Sequence, residues 1–310
     1  MSAKNIEVPE LSGRLAVVTG ASDGLGLCLA HRLAQAGAEV IMPVRNERKG
    51  ADAVAAITRA VPTATVSTRR LDLSSLESVS DLAAELLSED RPVHILVNNA
   101  GVMTPPQRQV TVDGFELQFA TNHLGHFALV GQILPLLRMG KARVTTQSSV
   151  AAAQHGIHWD DLQWERSYST SGSYASSKIA VSLFGMELDR RSRSGSWGIV
   201  SNVAHPGVAA TNLLAAHPEL GRSSDGLSVR AIRTLARLGV LGTAESGMLP
   251  ALYAATSQEA VGGKFYGPNG FRQLRGMPAE QRPYPYVADD AAAARIWTIS
   301  EELCGVGFPA

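Results

Sequence analysis

The chain has 310 residues, 45% hydrophobic and 18% charged, with 28 basic and 28 acidic residues. That is the composition of a globular chain with an ample core, and its zero net charge offers no field to draw in nucleic acid or an anionic membrane. Two cysteines, Cys28 and Cys304, make neither a disulfide framework nor a thiolate metal site.

The polar N-terminus "MSAKNIEVPELSGR" lacks the apolar stretch of a signal peptide. No later segment approaches about 18 uninterrupted apolar residues. A cytoplasmic chain is expected, with no membrane span and with a small molecule or another copy of itself as partner.

Short apolar, β-branched runs alternate with helical patterns from the start. "RLAVVTG" is followed by "GLGLCLAHRLAQAG", "AEVIMPV" by "RKGADAVAAITRAV", "TVSTRRLD" by "LESVSDLAAELLSE", and then comes "VHILVNNAG". Near-continuous apolar strands between helices predict βαβ units on a parallel sheet buried on both faces.

The rhythm continues with a helix in "NHLGHFALVGQILPLL", a strand in "ARVTTQSS", a helix in "YASSKIAVSLFGMELDRRS" and a strand in "IVSNVAHPG". Six strands are complete by about residue 206, and no linker divides the chain, so one doubly wound α/β domain is expected over 1–310. Two segments interrupt it, 150–173 and 212–239, the second with a short helix at "LSVRAIRTLARLG". The tail 260–310 carries a strand-like "GGKFYG", a Pro/Gly-rich loop and a last helix, "DDAAAARIWTISEEL". Ligands of open parallel sheets sit beyond the C-terminal strand ends, which makes the two interruptions candidate substrate walls.

"VVTGASDGLGLCLA" places Gly20, Gly24 and Gly26 between the first strand and the first helix. Glycines there let the backbone turn tightly and approach a pyrophosphate, whose charge a helix N-terminus favours. The spacing is G-x-x-x-G-x-G rather than the general G-x-G-x-x-G, so the turn alone is weak evidence of a dinucleotide.

The second strand ends at Val44 and Arg45, with no ribose-binding carboxylate, and a guanidinium there can pair with a 2′-phosphate. NADP(H) is therefore favoured over NAD(H), although Asp23 adds a negative charge to the turn. Asp72 ends the third strand, and Asn98, Asn99 and Gly101 end the fourth. Each could equally cap its own loop; their alignment on consecutive strand ends is the stronger argument.

Tyr174 and Lys178, four apart in "YASSK", share one helix face. A phenol with pKa about 10 is a poor acid-base group at neutral pH, and a nearby ammonium would move it down. Ser149, at the end of "VTTQSS", carries a hydroxyl able to donate to a carbonyl oxygen, and Asn122 sits early in a long helix. Taken singly, each of the four is an ordinary surface, turn or capping residue.

Together, "TGASDGLG", "LDL", "NNAG", "TNHLGHF", "SS", "YASSK" and "HPGVAAT" occur in an order and spacing that resembles the short-chain dehydrogenase/reductase family, over about residues 12–212. The resemblance implies a Rossmann fold and an NAD(P)-dependent alcohol/carbonyl oxidoreductase with an Asn-Ser-Tyr-Lys tetrad at Asn122, Ser149, Tyr174 and Lys178. Tyr174 would exchange the hydroxyl proton, Ser149 would polarise the carbonyl, Lys178 would bind the nicotinamide ribose and lower the Tyr174 pKa, and Asn122 would hold a relay water.

By the same likeness Asp72 and Leu73 would lie against the adenine, Asn99 and Ala100 along the ribose, and Ala209 and Thr211 at the carboxamide. Gly20, Ser22, Asp23, Gly24, Leu25 and Gly26 of the turn, with Arg45, Gly101, Pro206 and Gly207, complete the cofactor set. Ser149 and Tyr174 stand 25 residues apart, farther than is commonest in the family. The intervening segment, however, is similar to the retinol-dehydrogenase-like branch, and the tail resembles soluble actinobacterial members.

The substrate implied is a mid-sized, largely apolar alcohol or carbonyl compound. Leu213, Leu214, Leu220 and Leu227 offer an apolar wall and would equally serve as core. His155 and His158 beside Asp160 and Asp161 suggest a metal, but no third ligand stands at usual spacing; there and at His123 and His126 a structural role is expected, so no metal site is assigned. Two other functions stay open: a non-catalytic dinucleotide sensor and a reductase of a polarised carbon-carbon double bond. Oligomeric state is open as well, homodimer or homotetramer, since long helices such as 113–139 and 173–192 often pair between subunits in this family.

Overall fold

The six strands expected up to residue 206 all form in the computed structural model, which describes residues 6–209, 213, 220, 221, 234, 236 and 241–309. They are β1 (Leu15–Val18), β2 (Glu39–Val44), β3 (Val66–Arg70), β4 (Ile95–Asn98), β5 (Arg143–Gln147) and β6 (Val200–Ala204). Helices α1 (Gly24–Gln35), α2 (Glu47–Ala60) and α3 (Leu76–Glu89) connect the first four. The sheet gains β7 (Phe265–Pro268) and β8 (Pro278–Gln281), and its order is β3-β2-β1-β4-β5-β6-β7-β8. All neighbours are parallel except β7 and β8.

Alternate residues of each central strand feed opposite cores, which explains why the strands read as continuous apolar runs. Ala16, Val18, Val40, Met42, Ile95 and Val97 pack with Leu29 and Leu33 of α1 and Ile57 of α2. Val17, Ile41, Leu96 and Val144 pack on the other face with Leu82 of α3. The strand order reverses between β1 and β4, and the crevice beyond that switch point is where such sheets bind ligands.

Strand β8 falls inside the expected Pro/Gly-rich loop. Its sequence, "PAEQ", has neither β-branched residues nor apolar alternation, as suits a partly exposed edge strand that buries little. The long helix expected over 113–139 is broken as well. Val110 bridges Glu116, then follow α4 (Leu117–Phe119), a π-turn (Ala120–Leu124), α5 (Gly125–Gln132) and α6 (Leu134–Met139). Pro135, at the start of α6, has no N–H to continue the ladder of α5, which explains the second break.

Helix α7 (Thr170–Ser194) starts at its N-cap Ser169, so Tyr174 lies one turn inside rather than at its head. Two shorter helices, α8 (Ala244–Gly247) and α9 (Leu249–Thr256), follow β6, and α10 (Asp290–Cys304) closes the chain. Helix α10 packs against α7, and its Trp297, fully buried, meets Phe127, Phe184 and Phe308 at ring-centroid distances of 5.2, 5.6 and 4.4 Å. The last helix thus covers part of α7. The helix expected near 227–239, together with Thr211, Leu214 and Leu227, lies outside the described residues.

Candidate active site

The glycine turn has the shape that its sequence requires. Gly20 and Gly24 adopt φ of +64° and +56°, a left-handed backbone that side chains disfavour. A Cβ on Gly26 would run into the Gly20 carbonyl oxygen and stand 2.6 Å from Asn99 Nδ2. Asp23 caps α1, its carboxylate accepting the Gly24 N–H at 2.7 Å, so the charge that seemed adverse to phosphate satisfies the helix N-terminus.

A cavity of about 370 Å³ opens at the switch point. Twelve residues expected at a cofactor line it: Gly20, Ser22, Asp23, Gly24, Leu25 and Gly26 from the turn, Arg45 after β2, Asp72 and Leu73 after β3, and Asn99, Ala100 and Gly101 after β4. Among the lining residues that the sequence did not point to are Asn46 and Lys49. Asn46 caps α2 and accepts the Lys49 N–H at 2.9 Å, a polar residue before a helix that could have been recognised. Lys49 adds a second cation beside Arg45.

The Asp72 carboxylate accepts from Ser74 N and Oγ at 2.9 and 2.6 Å. Val102, Thr121, Leu213 and Leu220 line the same space, so two of the four proposed wall leucines face it.

The tetrad residues and Pro206, Gly207 and Ala209 are not part of that lining. Gly207 has φ +68°, a Cβ there would run into the Leu274 carbonyl, and Val208 N–H donates to that oxygen at 2.9 Å. Leu25 and Ala209 approach each other across Gly247: a Cβ on Gly247 would stand 3.0 and 2.8 Å from their side chains. The β6 exit therefore meets the start of α1.

Tyr174 and Lys178 are each only 4% exposed. Lys178 Nζ donates to the Gln147 carbonyl at 3.0 Å and stands 6.0 Å from the centre of the Tyr174 ring. Ser149 comes close enough to the Tyr174 hydroxyl to favour its ionised form despite the 25-residue separation, because the segment between them loops out and returns. Asn122 lies in the π-turn and brackets the Val102 peptide: its Oδ1 accepts from Val102 N at 2.8 Å, while its Nδ2 donates to Val102 O at 3.0 Å and to Ser177 Oγ at 2.9 Å. A Cβ on Gly101 would stand 2.9 Å from Asn122 Oδ1 and 3.5 Å from Lys178 Nζ, which locates the β4 exit between them.

The electrostatics differ from the expectation that the ammonium lowers the phenol pKa. Burial pushes Tyr174 up to about 12, opposed by the nearby Ser149. Burial also pushes Lys178 down to about 8. Both shifts disfavour charge, and with the ring centre 6.0 Å away the ammonium does not overcome the loss of water. The phenol therefore keeps its proton at neutral pH.

Ser177, which the sequence analysis does not single out, links Asn122 to the helix by donating to Tyr174 O at 2.7 Å. Gln118 was also missed: its side chain accepts from Thr104 N at 2.7 Å and donates to Ser173 Oγ at 2.6 Å, tying the loop after β4 to the head of α7. One of the histidines expected to be structural, His158, has an aromatic neighbour. His158 stacks on Trp164 with ring centres 5.0 Å apart, and Asp161 accepts from the backbone N–H groups of Glu165 and Arg166.

Comparison with known proteins extends these observations. The family model described as short chain dehydrogenase matches residues 14–219. Retinol dehydrogenase 13 of Homo sapiens is 35% identical over 303 residues, covering 96% of this chain and 87% of that protein. A crystal structure from Mycobacterium Paratuberculosis, 34% identical, covers 98% of both chains with a TM-score of 0.78. The RhlG/NADP active-site complex of Pseudomonas aeruginosa, 25% identical, covers 83% of this chain and 94% of its own with a TM-score of 0.63. With a sequence match spanning glycine turn, tetrad and β6 exit, the chain belongs to the short-chain dehydrogenase family and is an NAD(P)-dependent oxidoreductase of alcohol and carbonyl groups.

Proposed function

We propose that the protein is an NADP(H)-preferring enzyme that interconverts a primary or secondary alcohol with the aldehyde or ketone of a mid-sized, largely apolar substrate, with Tyr174 as general acid/base. The observation that carries this reading is the buried Tyr174 side chain beside Ser149, with Lys178 anchored on the same helix by Gln147 at the C-terminal end of the sheet. The glycine turn fits a dinucleotide, since a Cβ at Gly26 would fill the turn itself. When bound, the nicotinamide gives or takes the hydride.

In reduction, Tyr174 gives its hydroxyl proton to the substrate oxygen as that oxygen gains charge, and the Ser149 hydroxyl donates to the same oxygen. The phenolate left behind is steadied by the Lys178 ammonium; oxidation runs the same steps in reverse. Asn122 would hold the relay water of the proposal, and Ala209, with Thr211 outside the described residues, would hold the carboxamide. NADP(H) preference is supported by Arg45 and Lys49 on the cavity wall and by the absence of a carboxylate at the end of β2, where Val44 stands. The apolar substrate is supported by Val102, Leu213 and Leu220 and by the name of the retinol dehydrogenase relative.

Residence in the cytoplasm belongs to the same proposal, with two unpaired cysteines in its favour. Among the described residues no helix is long and apolar enough to cross a membrane.

The test is loss of NADPH absorbance with a panel of apolar ketones and aldehydes. Tyr174→Phe, which deletes only the hydroxyl, is expected to lower turnover by about 10² to 10⁴, the usual contribution of a positioned proton donor. Wild-type turnover in this variant would refute the mechanism. Tight NADPH binding with no turnover on any carbonyl would favour a sensor.

A further inference from the structure

His126 is fully buried and belongs to α5, one turn after Asn122. Its ring touches two groups from distant parts of the chain. Nε2 lies 2.9 Å from Thr19 Oγ1, and Nδ1 lies 3.1 Å from the Asn122 carbonyl oxygen. Thr19 directly follows β1, ahead of the glycine turn, and its hydroxyl oxygen accepts two backbone N–H groups, those of Asn99 and Ala100, each at 3.0 Å.

Those four distances assign the tautomer. A hydroxyl oxygen has two lone pairs and one hydrogen. The Asn99 and Ala100 N–H groups use both lone pairs, so Thr19 meets the imidazole only as a donor. Its hydrogen has two acceptors in range, Val97 O at 3.3 Å and His126 Nε2 at 2.9 Å, and the shorter contact is to Nε2. Nε2 is then unprotonated, the ring hydrogen is on Nδ1, and it points at Asn122 O. A charged imidazolium would aim a second hydrogen at an oxygen with no lone pair left. In agreement, burial holds the His126 pKa at about 4, and the Lys178 ammonium adds to that depression.

The carbonyl that receives this bond is in the π-turn, where the Gly125 N–H reaches back five residues to Ala120 O and the regular ladder slips. The imidazole supplies a side-chain donor where the backbone ladder is irregular. From Asn122 the path continues through its Nδ2 to Ser177 Oγ and from that hydroxyl to Tyr174 O. Every donor along Asn99/Ala100, Thr19, His126, Asn122, Ser177 and Tyr174 points the same way.

Resting on the functional reading above, we propose that His126 is a positioning residue for proton transfer. As the Nδ1–H tautomer it fastens the strand ends that face the dinucleotide cavity to the π-turn and helix that carry Asn122 and Tyr174. It touches neither cofactor nor substrate; it sets the register between the two halves of the site, where a displacement of about 1 Å costs up to about 10² in rate.

Three substitutions separate its contacts. His126→Asn keeps an amide near the Nδ1 position and surrenders Thr19, His126→Gln keeps one near Nε2 and surrenders Asn122, and His126→Phe keeps the ring and surrenders both. With NADPH and its C4-deuterated form as probes, His126→Phe is expected to lower kcat by about 10-fold to 10²-fold. The deuterium isotope effect on kcat should rise, NADPH affinity measured by fluorescence should stay within about threefold, and Asn and Gln should fall between Phe and wild type.

The inference is overturned if His126→Phe lowers the melting temperature yet leaves kcat and its isotope effect unchanged, since His126 then only fills space. Nitrogen-15 NMR of the wild-type histidines decides the matter even if every variant misfolds: a ring protonated on Nε2, or one that gains a second proton above pH 6, sinks the proposal. Loss of activity in Tyr174→Phe alongside an indifferent His126→Phe would remove this inference alone; an active Tyr174→Phe would remove the functional reading beneath it.

Discussion

Lys178→Met isolates what it costs to bury an ammonium at this site. The side chain is 4% exposed, and its single hydrogen bond in the described structure goes to the Gln147 carbonyl. Burial moves its pKa from an ordinary value of about 10.4 to about 8. At 1.36 kcal/mol per pH unit, that gap penalises the charged form by about 3 kcal/mol. Methionine fills similar volume without charge and leaves the Gln147 carbonyl unpaired, at about 1–2 kcal/mol. The variant is therefore expected to be more stable than wild type by about 1–2 kcal/mol at pH 7, while losing activity.

The pH dependence gives the prediction its sign. Below pH 8 both folded and unfolded chains carry the charged lysine, so wild type bears the full penalty. Between about pH 8 and 10 the folded lysine is neutral while the unfolded one still binds a proton, so wild-type stability rises with pH. The methionine variant lacks this rise. Its advantage should vanish near pH 9 and reverse by about 1 kcal/mol at pH 10, and the Tyr174 titration, common to both proteins, does not alter the difference. Urea unfolding followed by tryptophan fluorescence at pH 7 and pH 10 measures it. A variant less stable than wild type by the same amount at both pH values would refute the reasoning, because the lysine would then be buried without electrostatic penalty.

Replacing Arg45 and Lys49 together by alanine should raise KM for NADPH by about 10-fold or more and leave KM for NADH within about twofold, as loss of charge-assisted phosphate contacts requires; equal changes for both cofactors would count against a 2′-phosphate site. Trp297→Ala should lower stability by about 3–5 kcal/mol, since the indole is fully buried among Phe127, Phe184 and Phe308 under an arginine, Arg191, whose guanidinium is 4.5 Å from the ring centre. Sedimentation should show wild type as a monomer, because α10 occupies part of α7; a dimer that survives the alanine substitution would mean that the subunits meet elsewhere.

Much of the site was legible because its signals are local. The glycines of the first turn are needed where the backbone is left-handed or has no space for a Cβ, and they sit between a strand and a helix that periodicity alone reveals. The i, i+4 spacing of Tyr174 and Lys178 is likewise a property of one helix. Residues that act through distant partners left no such trace. Ser177 lies within the same motif as Tyr174, yet its partner Asn122 is on another element. Lys49 became part of the cofactor cavity only when Asn46 began α2 and turned its first residues toward the strand ends. The raised tyrosine runs against the expected direction, and the depressed lysine left no trace, because a sequence does not state how much water is removed from a side chain.

Strand-helix alternation, apolar on both faces of each strand, is enough to determine a doubly wound sheet, because parallel strands need helical crossovers and both sheet faces need cover. The glycine turn follows from that frame through the sterics of one residue type. Tertiary structure alone decided that Ser149 reaches Tyr174 across an insertion, that β8 joins the sheet edge with little apolar side chain of its own, and that α10 covers part of α7. It also decided that His126 bonds a threonine 107 residues away. Burial and hydrogen-bond direction depend on which distant surfaces meet, and no local period in the chain encodes them.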